Sequence, residues 1–196
     1  MVSAHQGRYR KLPVVGDFAE KSTNQTNFRL EVQTMKALII YDSTFGNTEH
    51  IAQAIAQKLR EHSSVQLVTV EEAGRLDLKE THLLLLGCPT QYYNLTPAVR
   101  AFLENIPRGT LQGVMAAAFD TRYRMSIWLS GTAAWDIAWH LQEAGASLIL
   151  PPKSFFVAGI RGPLDEGEPE RGMQWATTLL ERFEEAEPYE LEEETL

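Results

Sequence analysis

From Lys36 to Gln57 the chain changes its hydrophobic rhythm twice. An unbroken apolar run, Ala37-Leu38-Ile39-Ile40-Tyr41, is what a strand covered on both faces requires, as in a parallel sheet. After a short polar stretch, Ile51, Ala52, Ile55, Ala56 and Leu59 recur at the spacing of one helix face. The same alternation continues. Val65, Leu67, Val68 and Val70 predict a second strand, and Glu71 to Glu80 a weakly patterned connection. Leu83 to Leu86 is a second fully apolar run, followed by a short helical stripe of Val99, Phe102, Leu103 and Ile106 that Pro107 ends. A fourth strand at Val114 to Phe119 leads to a helix over Ala133 to Ala144, with Gly145 as its stop. Strand pieces are expected at Ser147 to Leu150 and Phe155 to Ala158. A last helix over Glu168 to Ala186 is expected to bury Met173, Ala176, Leu179, Leu180 and Phe183. Strands alternating with helices five times predict an α/β fold, a doubly wound five-stranded parallel sheet. Residues 1–34, polar and irregular, read as an N-terminal extension, residues 35–186 as the folded domain, and residues 187–196 as an acidic tail.

Composition narrows what such a domain can do. A chain of 196 residues is long enough for one domain with a sizeable core. The net charge of −8 provides no basic surplus to release counterions, so nucleic acid and anionic membranes are not expected partners. An acidic surface suits a basic patch on a partner, and it equally suits plain solubility. Cys88, the single cysteine, allows no internal disulfide, and the five histidines show no ligand-like spacing, so no metal site is expected. No apolar stretch is long enough to span a bilayer, and the opening MVSAHQGRYRKLPVV lacks the apolar core of a secretory signal, which together predict a cytoplasmic protein.

The candidate chemistry lies where strands run out. Ser43-Thr44-Phe45-Gly46-Asn47-Thr48 offers three hydroxyls and a glycine at the start of a helix, where backbone N–H groups and the positive end of the helix dipole can hold a dianion without a lysine. The alternative, that Ser43, Asn47 and Thr48 merely cap the helix, stays open at this point. The chain has no glycine-rich dinucleotide fingerprint, no Gly-Lys-Ser phosphate loop and no Gly-x-Ser-x-Gly elbow. Ser130-Gly131-Thr132 is expected simply to start the Ala133 helix.

Three loops together resemble the flavodoxin-like family. They are Ser43-Thr44-Phe45-Gly46-Asn47-Thr48, then Gly87-Cys88-Pro89-Thr90-Gln91-Tyr92-Tyr93-Asn94, and then Asp120-Thr121-Arg122-Tyr123. The resemblance covers roughly residues 35–183 and implies the strand order 2-1-3-4-5 with FMN as cofactor. It implies that Ser43 to Thr48 wrap the FMN phosphate, with Phe45 standing where the family commonly has a hydroxyl donor. It further implies that Pro89, Thr90, Gln91, Tyr92, Tyr93 and Asn94 flank the flavin ring, Tyr92 or Tyr93 stacking on it and Thr90 and Asn94 bonding its edge. Tyr123 or Trp128 would cover the other side. Asp120 would accept from the ring or ribityl chain, Thr121 would be a cofactor-binding residue of the same loop, and Arg122 would make a polar contact at the rim. A packing role is expected for Cys88. No catalytic residue is assigned. The function implied is electron transfer to a redox partner protein or a small-molecule acceptor. The alternative is an NAD(P)H-dependent FMN quinone reductase, although the insertion usual in that branch is not seen. A non-redox scaffold is a further reading.

Overall fold

The computed structural model describes residues 35–186. The predicted extension and tail lie outside the described residues. Five sheet positions run in the order β2-β1-β3-β4-β5, all parallel, from β1 (Lys36–Tyr41), β2 (Ser64–Thr69), β3 (Leu83–Pro89), β4 (Met115–Tyr123) and β5 (Ser147–Leu148). The last position is filled twice. β5 pairs with Met115 and Ala116 at the start of β4, and β6 (Lys153–Val157) pairs with Phe119 to Tyr123 at its end. Pro151 and Pro152 stand between the two pieces, and neither has an amide to offer a ladder, which accounts for the break.

Helices cover both faces. α1 (Asn47–Leu59) and α6 (Glu168–Ala186) pack together on one side, over Ile39, Leu83, Leu85, Ala117 and Phe119. On the other side, α3 (Pro97–Glu104) and α5 (Ala133–Glu143) lie over Leu38, Ile40, Leu84, Leu86 and Ala118. Burial on both faces is why β1 and β3 carry no polar alternation. Phe119 lies across Gly87 on the neighbouring strand, where a Cβ would fall 2.3 Å from its ring. The ring meets Phe155 and Trp175 edge to face.

Some expectations shift. The connection after β2 contains the four-residue α2 (Val70–Ala73) and a 3₁₀ turn at Leu78–Glu80, so Val70 opens a helix instead of ending a strand. Thr69 and Glu72 form a reciprocal capping box there. On α6, Met173 is only half-buried, while Glu168, Gly172 and Trp175 are buried with Ala176, Leu179, Leu180 and Phe183. Gly172 brings α6 close to α1, at ordinary contact with Ala54 and Ile55. A face that includes a glycine and a glutamate does not register in a count of apolar spacing.

Candidate functional site

The carboxyl ends of β1, β3, β4 and β6 surround a cavity of about 410 Å³. Its lining comes from four loops. The first is tied down by its own side chains. Gly46 takes φ +82, a left-handed conformation that strains most other residues, and among the described residues nothing beyond its two chain neighbours lies within 4 Å of where its Cβ would be. The Glu49 amide donates to Ser43 Oγ (3.2 Å) and the His50 amide to the Gly46 carbonyl (2.9 Å). Among the described residues, no hydrogen bond engages the amides of Thr44, Phe45, Gly46, Asn47 or Thr48.

The capping alternative is therefore realised only by Ser43. Asn47 turns away, its Nδ2 donating to the Arg161 carbonyl (3.3 Å), and Thr48 is buried with its hydroxyl 2.7 Å from that of Thr121 on β4. Thr44 Oγ1 accepts from Gln91 Nε2 (2.9 Å), joining the first loop to the second.

In the second loop, Gln91 and Asn94 exchange two backbone hydrogen bonds of 2.9 Å. The two-residue turn between them puts both Tyr92 (φ 48) and Tyr93 (φ 70) in the left-handed region. Such a turn normally takes Asn or Gly, so two tyrosines there are strained. Tyr92 lines the cavity and is 94% exposed, whereas Tyr93 and Asn94 do not line it. Asn94 Nδ2 donates to the Tyr92 carbonyl (3.1 Å), holding the turn instead of reaching into the cavity. Tyr93 bridges to Gly131, whose φ of 68 and ψ of −175 only glycine adopts readily. A Cβ on Gly131 would lie 2.4 Å from Tyr93 Cα.

The third loop corrects the sequence reading most. Asp120 is fully buried beneath α5 and takes no part in the cavity wall. Strand alternation sends Thr121 to the cavity side and Asp120 to the other. Its Oδ2 accepts from Thr90 Oγ1 (2.9 Å), Thr132 Oγ1 (2.7 Å) and the Ala134 amide (3.2 Å), while Oδ1 has no partner among the described residues. Thr132 thus uses its hydroxyl on Asp120 and does not cap α5. Thr90 also accepts from the Ala133 amide (2.9 Å), so the aspartate and threonine fasten the second loop to the start of α5.

Arg122 does reach the rim, where its donors are taken by Ser154 Oγ (2.9 Å), the Tyr123 and Met125 carbonyls (3.1 and 2.8 Å) and Ser130 Oγ (2.9 Å). It therefore ties down the turn that carries the short helix α4 (Ile127–Ser130). Met125, Ile127, Trp128 and Leu129 of that segment are exposed, and Trp128 lies outside the cavity lining. Buried Glu168 accepts from Arg171, from Arg124 (3.3 Å) and from the Phe156 amide (3.0 Å), and Arg124 also pairs with Asp165 (3.0 Å). Burial pushes the Cys88 thiol up to about 12, so it remains neutral and packs in the core.

The fourth loop was missed. Val157, Gly159 and Ile160 complete the cavity wall, and Arg161, Gly162 and Pro163 carry the chain past the first loop. The glycines just past a strand's carboxyl end were the available signal. Of the residues singled out in the sequence, Ser43, Thr44, Phe45, Asn47, Thr48, Pro89, Thr90, Gln91, Tyr92, Thr121, Arg122 and Tyr123 meet at this cavity. Gly46, Tyr93, Asn94 and Asp120 support it from outside. Among the described residues, no group of three or more His, Cys, Asp or Glu side chains is arranged to hold a metal ion, and no helix is long and apolar enough to cross a membrane.

A family model described as a flavodoxin domain matches residues 38–125. The chain is 27% identical over 89 residues to a flavodoxin of Clostridium saccharobutylicum, covering 44% of this chain and 56% of that protein. It is 31% identical over 91 residues to a flavodoxin of Aquifex aeolicus, covering 44% and 49%. The chain thus spans about half the length of the curated relatives it matches. Among solved structures, oxidised Flavodoxin 2 from Bacillus cereus superposes with a TM-score of 0.64 at 25% identity, over 78% of this chain and 99% of that one.

Proposed function

We propose that this chain, similar to flavodoxins in sequence over residues 38–125 and in fold, holds FMN in the cavity between its loops and passes electrons to a redox partner protein or a small-molecule acceptor. The observation that carries this reading is the cavity's polarity. One end is formed by amides at the start of α1 that no described residue engages, beside hydroxyls already bonded within the protein, the other by Tyr92, Tyr123, Val157 and Ile160. A ligand with a dianionic head and a flat, largely apolar ring matches both ends. A volume of about 410 Å³ falls in the range of small-molecule sites.

Bound FMN would supply the redox chemistry itself, by reversible electron uptake at the ring. The protein's part is to bind and orient. The amides from Thr44 to Thr48 and the helix dipole would take the phosphate, needing no basic residue within the loop. Tyr92 would stack on one ring face, and its exposure leaves that side accessible to a partner. The Thr90 and Thr121 hydroxyls are already engaged, with Asp120 and Thr48, so their share in ring binding would fall to backbone groups and shape. Arg122, committed to its own loop, would hold the rim in position. A lone, buried thiol is compatible with work in a reducing cytoplasm.

The test is the visible absorption spectrum of the purified protein, with quenching of added FMN fluorescence and identification of any flavin released on denaturation. Stoichiometric FMN at micromolar affinity is expected. Bleaching by NADH or NADPH with no second protein would convert the carrier into a reductase. A colourless protein indifferent to FMN would end the redox reading.

A further inference from the structure

Phe45 brings no hydroxyl to the first loop, but its ring serves as a platform for a cation. The Arg161 guanidinium lies 5.8 Å from the Phe45 ring centroid, within the range of a cation–π contact. The backbone that carries Arg161 is fixed to the same loop. Asn47 Nδ2 donates to its carbonyl, and Gly162, at φ +95, packs so closely on Asn47 that a Cβ would fall 2.4 Å from Asn47 Oδ1. The Gly162 amide returns to the Gly159 carbonyl (2.9 Å), closing the turn. Among the described residues, no carboxylate lies within ion-pair distance of Arg161. The carboxylates nearest in the chain that are paired, Asp165 and Glu168, are engaged by Arg124 and Arg171. Glu166, Glu170 and His50 share a shallow, open surface with Arg161 without forming an ion pair to it.

The geometry points to Arg161 as a phosphate-binding residue of the site: its guanidinium lies outside the cavity lining, on the adjoining open surface, held by the ring of Phe45, which lines both. The inference rests on the FMN reading above and adds a charge to it from a loop on the far side of the sheet sequence. A guanidinium matches phosphate oxygens in a fork and is more weakly hydrated than an ammonium, so it suits a partly exposed anion site. It also explains how a first loop with one fewer hydroxyl can still favour a dianion.

The test compares two flavins that differ only in the phosphate. Dissociation constants for FMN and riboflavin are measured by fluorescence quenching on the full chain, wild type against Arg161→Gln and Arg161→Lys, with melting temperature as a check on folding. Arg161→Gln is expected to weaken FMN about tenfold at low ionic strength and leave riboflavin unchanged. The deficit should shrink to about threefold or less in 0.5 M salt, where exposed charges are screened. Arg161→Lys, which keeps the charge, should stay within about threefold of wild type. Equal losses for FMN and riboflavin would make Arg161 a packing residue of its loop and overturn the inference. So would no loss for either flavin. If the wild type binds neither flavin, the FMN reading itself falls first, and this inference with it.

Discussion

The two ends of the cavity are built by opposite means. At the first loop, the strained backbone position is given to Gly46, and the hydroxyls of Ser43, Thr44 and Thr48 are each matched within the protein. At the second and third loops, positive φ falls on Tyr92 and Tyr93, and Tyr92, Trp128 and Leu129 are largely exposed. The first arrangement is what stability alone selects. The second costs free energy, since each left-handed tyrosine is worth on the order of 1–3 kcal/mol of strain and the large apolar side chains stay in water. On the proposed function, preformed polarity at one end and strained aromatics at the other would divide holding from exchanging.

Gly131→Ala should disturb that division most. Its Cβ would enter the Tyr93 backbone, and the expected cost is about 3 kcal/mol, a fall of about 6–12 °C in melting temperature. Because the damage is at the aromatic end, FMN and riboflavin should weaken together. An unchanged melting curve would mean that the second and third loops do not meet as described. Thr48→Val probes the opposite end. It keeps the shape but leaves the Thr121 hydroxyl without its 2.7 Å partner, for a loss of about 1–2 kcal/mol in urea unfolding. FMN affinity should change by less than about tenfold, since on the proposed reading backbone amides and not this hydroxyl would take the phosphate. A larger drop would erase the distinction between structural hydroxyls and binding amides.

Tyr92→Asn sharpens the comparison by reversing sign. Asn accepts the left-handed turn, so the flavin-free protein should gain up to about 1 kcal/mol while flavin affinity falls severalfold, to about tenfold. Stability and binding moving down together would show the turn to be unstrained. The smallest effect concerns Cys88, which belongs to neither end. Its native thiol should resist disulfide reagents at pH 8 and react once urea exposes it. With the folded value raised above the unfolded one, the stability it contributes is intact below about pH 8.5 and declines as pH rises toward 12. Rapid native labelling would contradict the burial.

Legibility in the sequence followed the same physics. β1, β3, β4 and α6 were readable because burial on both faces, or along one helix stripe, imposes composition directly. α2 and α4, at four residues each, are too short to show a period. The first loop could be read because a strand ran into it and a helix out of it. The motif alone suggests a ligand contact for Asp120, whereas the strand continues to Tyr123 and sends Asp120 and Thr121 to opposite faces. The sequence places Glu168 at the start of the last helix without indicating that it is buried, and there it is met by Arg171 one turn on, by the Phe156 amide and by Arg124, 44 residues earlier. Nothing in local sequence reports a pairing of that span. The fourth wall had only its glycines to announce it.

That fourth wall arrives late. A ribosome building this chain would have released β1, α1, β3 and β4, with all three motif loops, before Val157 to Arg161 closed the cavity and before Glu168 received Arg124. Domains take shape progressively as synthesis proceeds, and here the segment from Val157 onward decides whether the earlier loops enclose anything. Chains stalled short of residue 157 should therefore leave FMN fluorescence unquenched, and those carrying α6 clear of the exit tunnel should quench it.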